Sequence, residues 1–231
     1  MEYWSFPFRS VPNLTAGLSF REAGNMSFKL GDISGTEANR RRFLSAAGID
    51  PARAVGLMAN HGAEVKRITS LSTRPTGSFD AAYTFDPRVV LFGTFADCLP
   101  VFLVDPQTSA YALVHAGWRG VVGKAVPKTV EALAAEGVRP ERLWAVIGPH
   151  IQGSCFEVQN DVSLLFGKQG AVKLSLAEEV CGQLAAAGLS PERIQVSGDC
   201  VHCDGRFFSH RRRPGEGAGL AFIGMLYFPQ Q

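Results

Sequence analysis

Five histidines (His61, His115, His150, His202, His210) and five cysteines (Cys98, Cys155, Cys181, Cys200, Cys203) are the side chains here best suited to hold a metal ion or pair as nucleophile and base. Three of the ten occupy similar settings. His61 lies in Ala59-Asn60-His61-Gly62 just after the apolar Ala54 to Met58, Cys98 follows Thr94-Phe95-Ala96-Asp97, and His115 ends Tyr111-Ala112-Leu113-Val114. Each closes an apolar run with Gly or Pro a few residues away, so each is expected at a strand end, where open α/β sheets place their sites. Two imidazoles and one thiolate form a catalytic zinc set, with three protein ligands and a fourth tetrahedral position left for water or substrate. Their separation along the chain is too long for zinc-finger spacing. By pattern alone, two hydrogen-bonded histidines and a small buried cysteine remain an open alternative.

Cys200-Val201-His202-Cys203 is a second metal candidate, since two cysteines three apart can chelate one ion. No second such pair exists, and free thiols are the default expectation. Gly117-Trp118-Arg119-Gly120 is expected to form a tight turn that leaves Arg119 near His115, where a guanidinium could hold phosphate through two parallel hydrogen bonds. Asp97 and Cys98 are chain neighbours and can serve one site only if the strand ends or bulges there, which Pro100 favours.

Bringing such residues together requires strands that end at one place. Ala46-Ala47-Gly48-Ile49-Asp50-Pro51, Ala134-Ala135-Glu136-Gly137-Val138-Arg139-Pro140 and Ala186-Ala187-Gly188-Leu189-Ser190-Pro191 each read as a helix C-terminus. In each, Gly takes the left-handed position, an apolar residue packs back and Pro stops the helix. No fixed period links them, so they are helix-to-strand connectors rather than repeats. Ser175-Leu176-Ala177-Glu178 has capping-box spacing and predicts a helix to about Ala187, and Pro127, welcome in a first turn, predicts another ending near Glu136. Strands are predicted over 88–95, 101–104, 110–115, 143–147, 194–196 and 220–227. Helices alternating with β-rich runs predict a layered α/β domain.

The 231-residue chain, 46% hydrophobic and 19% charged, is expected to fold as one globular domain spanning 1–231. Its net charge of +2 gives no reason to expect nucleic acid or a membrane surface as partner. Arg211-Arg212-Arg213 reads as a solvated turn or a local anion contact. The N-terminal residues lack a signal-peptide pattern, and the most apolar region, 89–104, is broken by Gly93, Asp97 and Pro100, so no membrane span is expected. Few cysteines, odd in number, then point to reduced thiols or metal ligands in the cytoplasm.

Asn60-His61-Gly62, Ala96-Asp97-Cys98-Leu99-Pro100-Val101, Val114-His115-Ala116-Gly117-Trp118-Arg119-Gly120, Ile147-Gly148-Pro149-His150 with Cys155-Phe156-Glu157-Val158, and Phe207-Phe208-Ser209-His210-Arg211-Arg212 together resemble the peptidoglycan editing factor family. That family is also labelled laccase-domain or polyphenol oxidase. The resemblance implies a single-domain layered α/β/α sandwich with a mixed sheet, and His61, Cys98 and His115 as zinc ligands. It further implies a purine nucleoside phosphorylase cleaving adenosine, inosine or guanosine with phosphate, with adenosine deaminase and methylthioadenosine phosphorylase activity in some members. Arg21, which matches a family arginine, and Arg119 are the candidates to hold phosphate, and Asp80 and Asp97 the candidates for a general acid. The usual family histidine before Arg21 is replaced by Ala16, and a glycine is lost after it, changes that bear on substrate preference.

Two alternatives follow from the same likeness. Cys98 and His115 could act without metal as an amide hydrolase, as in related deamidating toxins, or the chain could edit a muropeptide precursor in cell-wall synthesis. The laccase label fits the composition poorly, because an oxygen-reducing copper cluster needs more histidines than five and none here form His-x-His pairs. Phenol oxidation is expected only as a side activity, with Cu2+ substituting for Zn2+ at the His2Cys set.

Overall fold

The computed structural model describes residues 1–71 and 77–226. In chain order the strands are β1 (Tyr3–Pro7), β2 (Leu14–Ser19), β3 (Ala54–Gly56), β4 (Val65–Arg67), β5 (Ala81–Thr84), β6 (Val90–Phe95), β7 (Leu99–Asp105), β8 (Ala110–Ala116), β9 (Trp144–Ile147), β10 (Glu157–Val158), β11 (Val172–Lys173), β12 (Ile194–Val196) and β13 (Gly219–Met225). The helices are α1 (Ile33–Ala46), α2 (Trp118–Val122), α3 (Ala125–Ala135), α4 (Asn160–Ser163) and α5 (Leu176–Ala186).

The fold is α/β with mixed sheets, and its β layer is double. One sheet has the order β1-β2-β13-β6-β3 and the other β12-β9-β7-β8-β5-β4. Each combines antiparallel neighbours with parallel pairs, β3 with β6 in the first and β12 with β9 and β4 with β5 in the second. Period-two alternation explains the layering. In β13, Leu220 and Phe222 face away from the second sheet and pack with Phe43 and Leu44 of α1, whereas Ala221 and Ile223 join the main core with β7 and β8. On the far side α3 lies against β8 and β5, with α2 and α5 beside it. Buried on both faces, β7 and β8 show no exposed residue, which is why their sequences are continuous apolar runs instead of alternating ones.

The three connectors form as expected, with Gly48, Gly137 and Gly188 at φ 77°, 87° and 98°. Ser175 Oγ accepts the Glu178 N–H at 3.3 Å, completing the expected cap of α5. Pro127 falls in the first turn of α3, which begins two residues earlier. The last predicted strand is β13, and its expected end at Tyr227 lies outside the described residues. No helix among the described residues is long and apolar enough to cross a membrane.

Candidate metal centre

Strand register assembles the site. In the hairpin of β7 and β8, Leu99 pairs with Ala116 and Pro100 with His115, so Cys98, one residue before β7, comes opposite Gly117, one residue past β8. On the other edge of β8, Ala81 pairs with Val114, which sets Asp80 beside His115, and the His115 N–H donates to the Asp80 carbonyl at 2.7 Å. His61 arrives from the loop between β3 and β4. Its N–H donates to Asp80 Oδ1 at 2.8 Å, and the Gly62 N–H to Oδ2 at 2.7 Å.

Two positions need an unusual backbone. His61 and Asp97 sit at φ 65° and 88°, a region that non-glycine residues seldom enter. At Asp97 the chain leaves β6 in one sheet for β7 in the other, so the strand does end before Cys98, as Pro100 favoured. The Asp97 carboxylate is occupied in holding this turn: Oδ1 accepts the Ser209 hydroxyl and Oδ2 the Arg211 N–H, each at 2.6 Å.

His61, Cys98 and His115 present ligand atoms that lie within 4.8 Å of one another. The two imidazoles meet edge to face with centroids 5.0 Å apart, and Phe95 packs on His115 at the same separation. Burial is graded: His115 is buried, Cys98 half-buried and His61 exposed. A cavity of only about 10 Å³, no larger than one water, adjoins Cys98 and is walled by Phe95, Asp97, Pro149 and Phe207. Gly117 makes the convergence possible. A Cβ there would stand 2.8 Å from Cys98 Sγ and 3.3 Å from His61 Cδ2.

The electrostatics favour a charged, electron-rich sulfur. Burial works to keep Cys98 protonated, yet the imidazoles of His115 and His61 pull the thiol down to about 6. Burial would lower His115, but the Cys98 sulfur and the Asp80 carboxylate push it up to about 9. Asp80 is fully buried, which alone would raise it; the His115 imidazole and the Gly62 and Asn60 N–H groups hold it below the usual carboxylate value. Asp80 Oδ1 is 3.2 Å from His115 Nδ1, leaving Nε2 as the nitrogen free to bind an ion. A thiolate, two imidazoles and a carboxylate behind one of them is a donor set that fits a zinc-type ion.

The remaining expected residues fare differently. Gly117 to Gly120 is not a tight turn: Gly117 caps α2, and the exposed Arg119 guanidinium lies 4.1 Å over the Trp118 ring. Arg21 is engaged elsewhere. It pairs with Glu216, which also holds Arg213 at 3.2 Å, and it lines a cavity of about 500 Å³ with Phe20, Glu22 and Arg206 among the walls. Asp80, weighed from sequence only as a proton donor, is instead an ionised acceptor that organises both histidines. Nothing in Asp80-Ala81-Ala82-Tyr83 announces that role; only the register between β5 and β8 does.

A family model described as multi-copper polyphenol oxidoreductase laccase matches residues 15–226. A purine nucleoside phosphorylase of Deinococcus radiodurans is 32% identical, covering 95% of this chain and 93% of its own length. An adenosine deaminase named RL5, from an unknown prokaryotic organism, is 33% identical over 63% of this chain and 61% of its own. The crystal structure of YlmD from Geobacillus stearothermophilus superposes with a TM-score of 0.88 at 29% identity, over 95% of this chain and 94% of that one. With the family model spanning nearly all of its strands, the chain belongs to the laccase-domain family that its motifs resemble.

Proposed function

We propose that this chain is a zinc-dependent purine nucleoside phosphorylase that cleaves adenosine, inosine or guanosine with phosphate at the His61, Cys98 and His115 group. Adenosine deamination and methylthioadenosine cleavage are further reactions of the same site. The observation that carries this reading is three ligand atoms within 4.8 Å of one another, on residues graded from buried His115 to exposed His61. A structural zinc is closed by a fourth side chain, whereas a catalytic one keeps a position free. The names of the relatives from D. radiodurans and RL5 support the two kinds of reaction.

When bound, the ion supplies Lewis acidity toward phosphate or water. The chain's own residues do the rest. Asp80, through His115 Nδ1, fixes the tautomer and direction of that imidazole, and through the His61 N–H it fixes the loop that carries the other. Arg119 offers an exposed guanidinium to phosphate, while Arg21 would have to exchange Glu216 for it. The proton needed by the departing purine does not come from Asp80, whose carboxyl is ionised and already committed to hydrogen bonds.

The test is product analysis. Chelator-stripped protein, reloaded with increasing zinc, is incubated with inosine and phosphate. Release of hypoxanthine and ribose 1-phosphate in proportion to bound zinc is expected; full phosphorolysis by Cys98→Ala would overturn the reading.

A second reading, metal-free amide hydrolysis, draws on the Cys98 thiolate, the His115 imidazolium and the Asp80 carboxylate, which have the chemistry of nucleophile, general acid toward the leaving amine, and orienting group. It requires the stripped protein to be the active form. Copper would also be accepted by the donor set, with phenol oxidation as a side activity.

A further inference from the structure

Sequence spacing leaves Cys200-Val201-His202-Cys203 without a second cysteine pair, but the fold brings a partner from another segment. Cys155, in the turn after Gln152, places its Sγ 3.3 Å from Cys203 Sγ, and Cys155, His202 and Cys203 present ligand atoms all within 4.8 Å of one another. We propose that these three form a structural zinc site that shares no residue with the His61, Cys98 and His115 group, with Cys200, whose sulfur lies outside the set of atoms within 4.8 Å of one another, turning in as the fourth ligand.

Three observations support it. First, the spacing is close to that of a coordinated set, since zinc–sulfur bonds of ~2.3 Å place tetrahedral sulfur ligands about 3.8 Å apart. Second, His202 Nδ1 is buried without a hydrogen-bond partner, a condition that buried polar atoms rarely tolerate and that a ligand would relieve. Third, the loop already treats Cys200 as an acceptor. The Gln152 N–H points at its sulfur at 3.4 Å.

The loop is also pinned in this shape. The Cys203 and Asp204 N–H groups both return to the Cys200 carbonyl, at 3.1 and 2.9 Å. Arg212 Nη1 donates to the carbonyls of Val201, His202 and Asp204 at 3.0, 2.9 and 3.0 Å. The Val201 N–H donates to the His150 carbonyl at 3.1 Å, tying the loop to the segment that carries Cys155. Three thiols and an imidazole select zinc over hard cations. Bound there, the ion would cross-link two segments that are 45 or more residues apart in sequence, as the 48-residue separation of Cys155 and Cys203 requires.

Zinc itself is the probe. Full-length protein, reduced, reconstituted with zinc and desalted, is assayed for metal per chain as wild type, Cys98→Ala/His115→Ala, Cys203→Ala and the triple variant. The expected contents are about two ions, one, one and none. If Cys203→Ala fails to fold, Cys98→Ala/His115→Ala decides alone: one retained ion supports the site, and none overturns it. Wild-type zinc content in Cys203→Ala would also overturn it, as would a Cys155 to Cys203 disulfide found by mass spectrometry in protein purified without oxidant. The variants count the two groups separately, so failure here leaves the catalytic reading in place.

Discussion

The Asp80 carboxylate stands 3.2 Å behind the Nδ1 of His115, fully buried, and the same oxygen takes the His61 N–H at 2.8 Å. One side chain therefore sets two candidate ligands that come from different parts of the chain. Asp80→Asn keeps the size but loses one acceptor oxygen and the charge. Zinc affinity, measured by competition with a chelator, is expected to fall about 10- to 100-fold. Unchanged affinity would mean that Asp80 positions neither histidine.

Gly117 has φ −79°, so alanine fits its backbone; the obstacle is the Cys98 sulfur 2.8 Å from where the Cβ would be. Gly117→Ala should fold with its helix content intact, lose about 1–3 kcal/mol of stability to overpacking, and lose its zinc at that group. Thermal unfolding with metal analysis checks both. A variant with full zinc content would show that Cys98 has room to move.

The charge pattern also sets a pH dependence. In metal-free protein the Cys98 thiol lies at about 6, below the ~8.5 of an ordinary cysteine, so it is already thiolate at neutral pH. Alkylation by iodoacetamide, mapped to Cys98 by mass spectrometry, should rise as pH climbs through about 6 and level off above about 7, and zinc should suppress it. A rate still climbing beyond pH 8 would place the sulfur in an ordinary environment.

The two candidate phosphate-binding arginines are not equivalent. Arg119 is exposed over Trp118, whereas Arg21 is held by Glu216. Arg119→Ala should raise the KM for phosphate about tenfold or more, the size of one lost charged hydrogen bond, with little change for inosine. Arg21→Ala should do less, and Glu216→Gln, which weakens the hold on Arg21, should lower the phosphate KM. Steady-state kinetics in both substrates decides.

Local chemistry was legible in the sequence where one residue fixes one conformation. Gly48, Gly137 and Gly188 end their helices, Ser175 caps α5, and the apolar runs of β7 and β8 are strands buried on both faces. The strand β2 was not, because Leu14-Thr15-Ala16-Gly17-Leu18-Ser19 carries small and polar residues, yet all six are buried. Gly17 accounts for part of this, since a Cβ there would lie 2.5 Å from the Phe222 ring. At the site, His61, Cys98 and His115 stood out as chemistry at the ends of apolar runs. What spacing could not reveal was register: Asp80 beside His115, Gly117 opposite Cys98, and Cys155 against Cys203 all depend on which strands and loops become neighbours.

Crystals of zinc-loaded protein, measured on both sides of the zinc absorption edge, test the central claim most directly. The expected result is an anomalous peak about 2.0–2.3 Å from His61, Cys98 and His115, with its remaining side open to solvent. The account is contradicted if, at saturating zinc, no peak lies between these residues, or if the imidazoles turn away from the Cys98 sulfur.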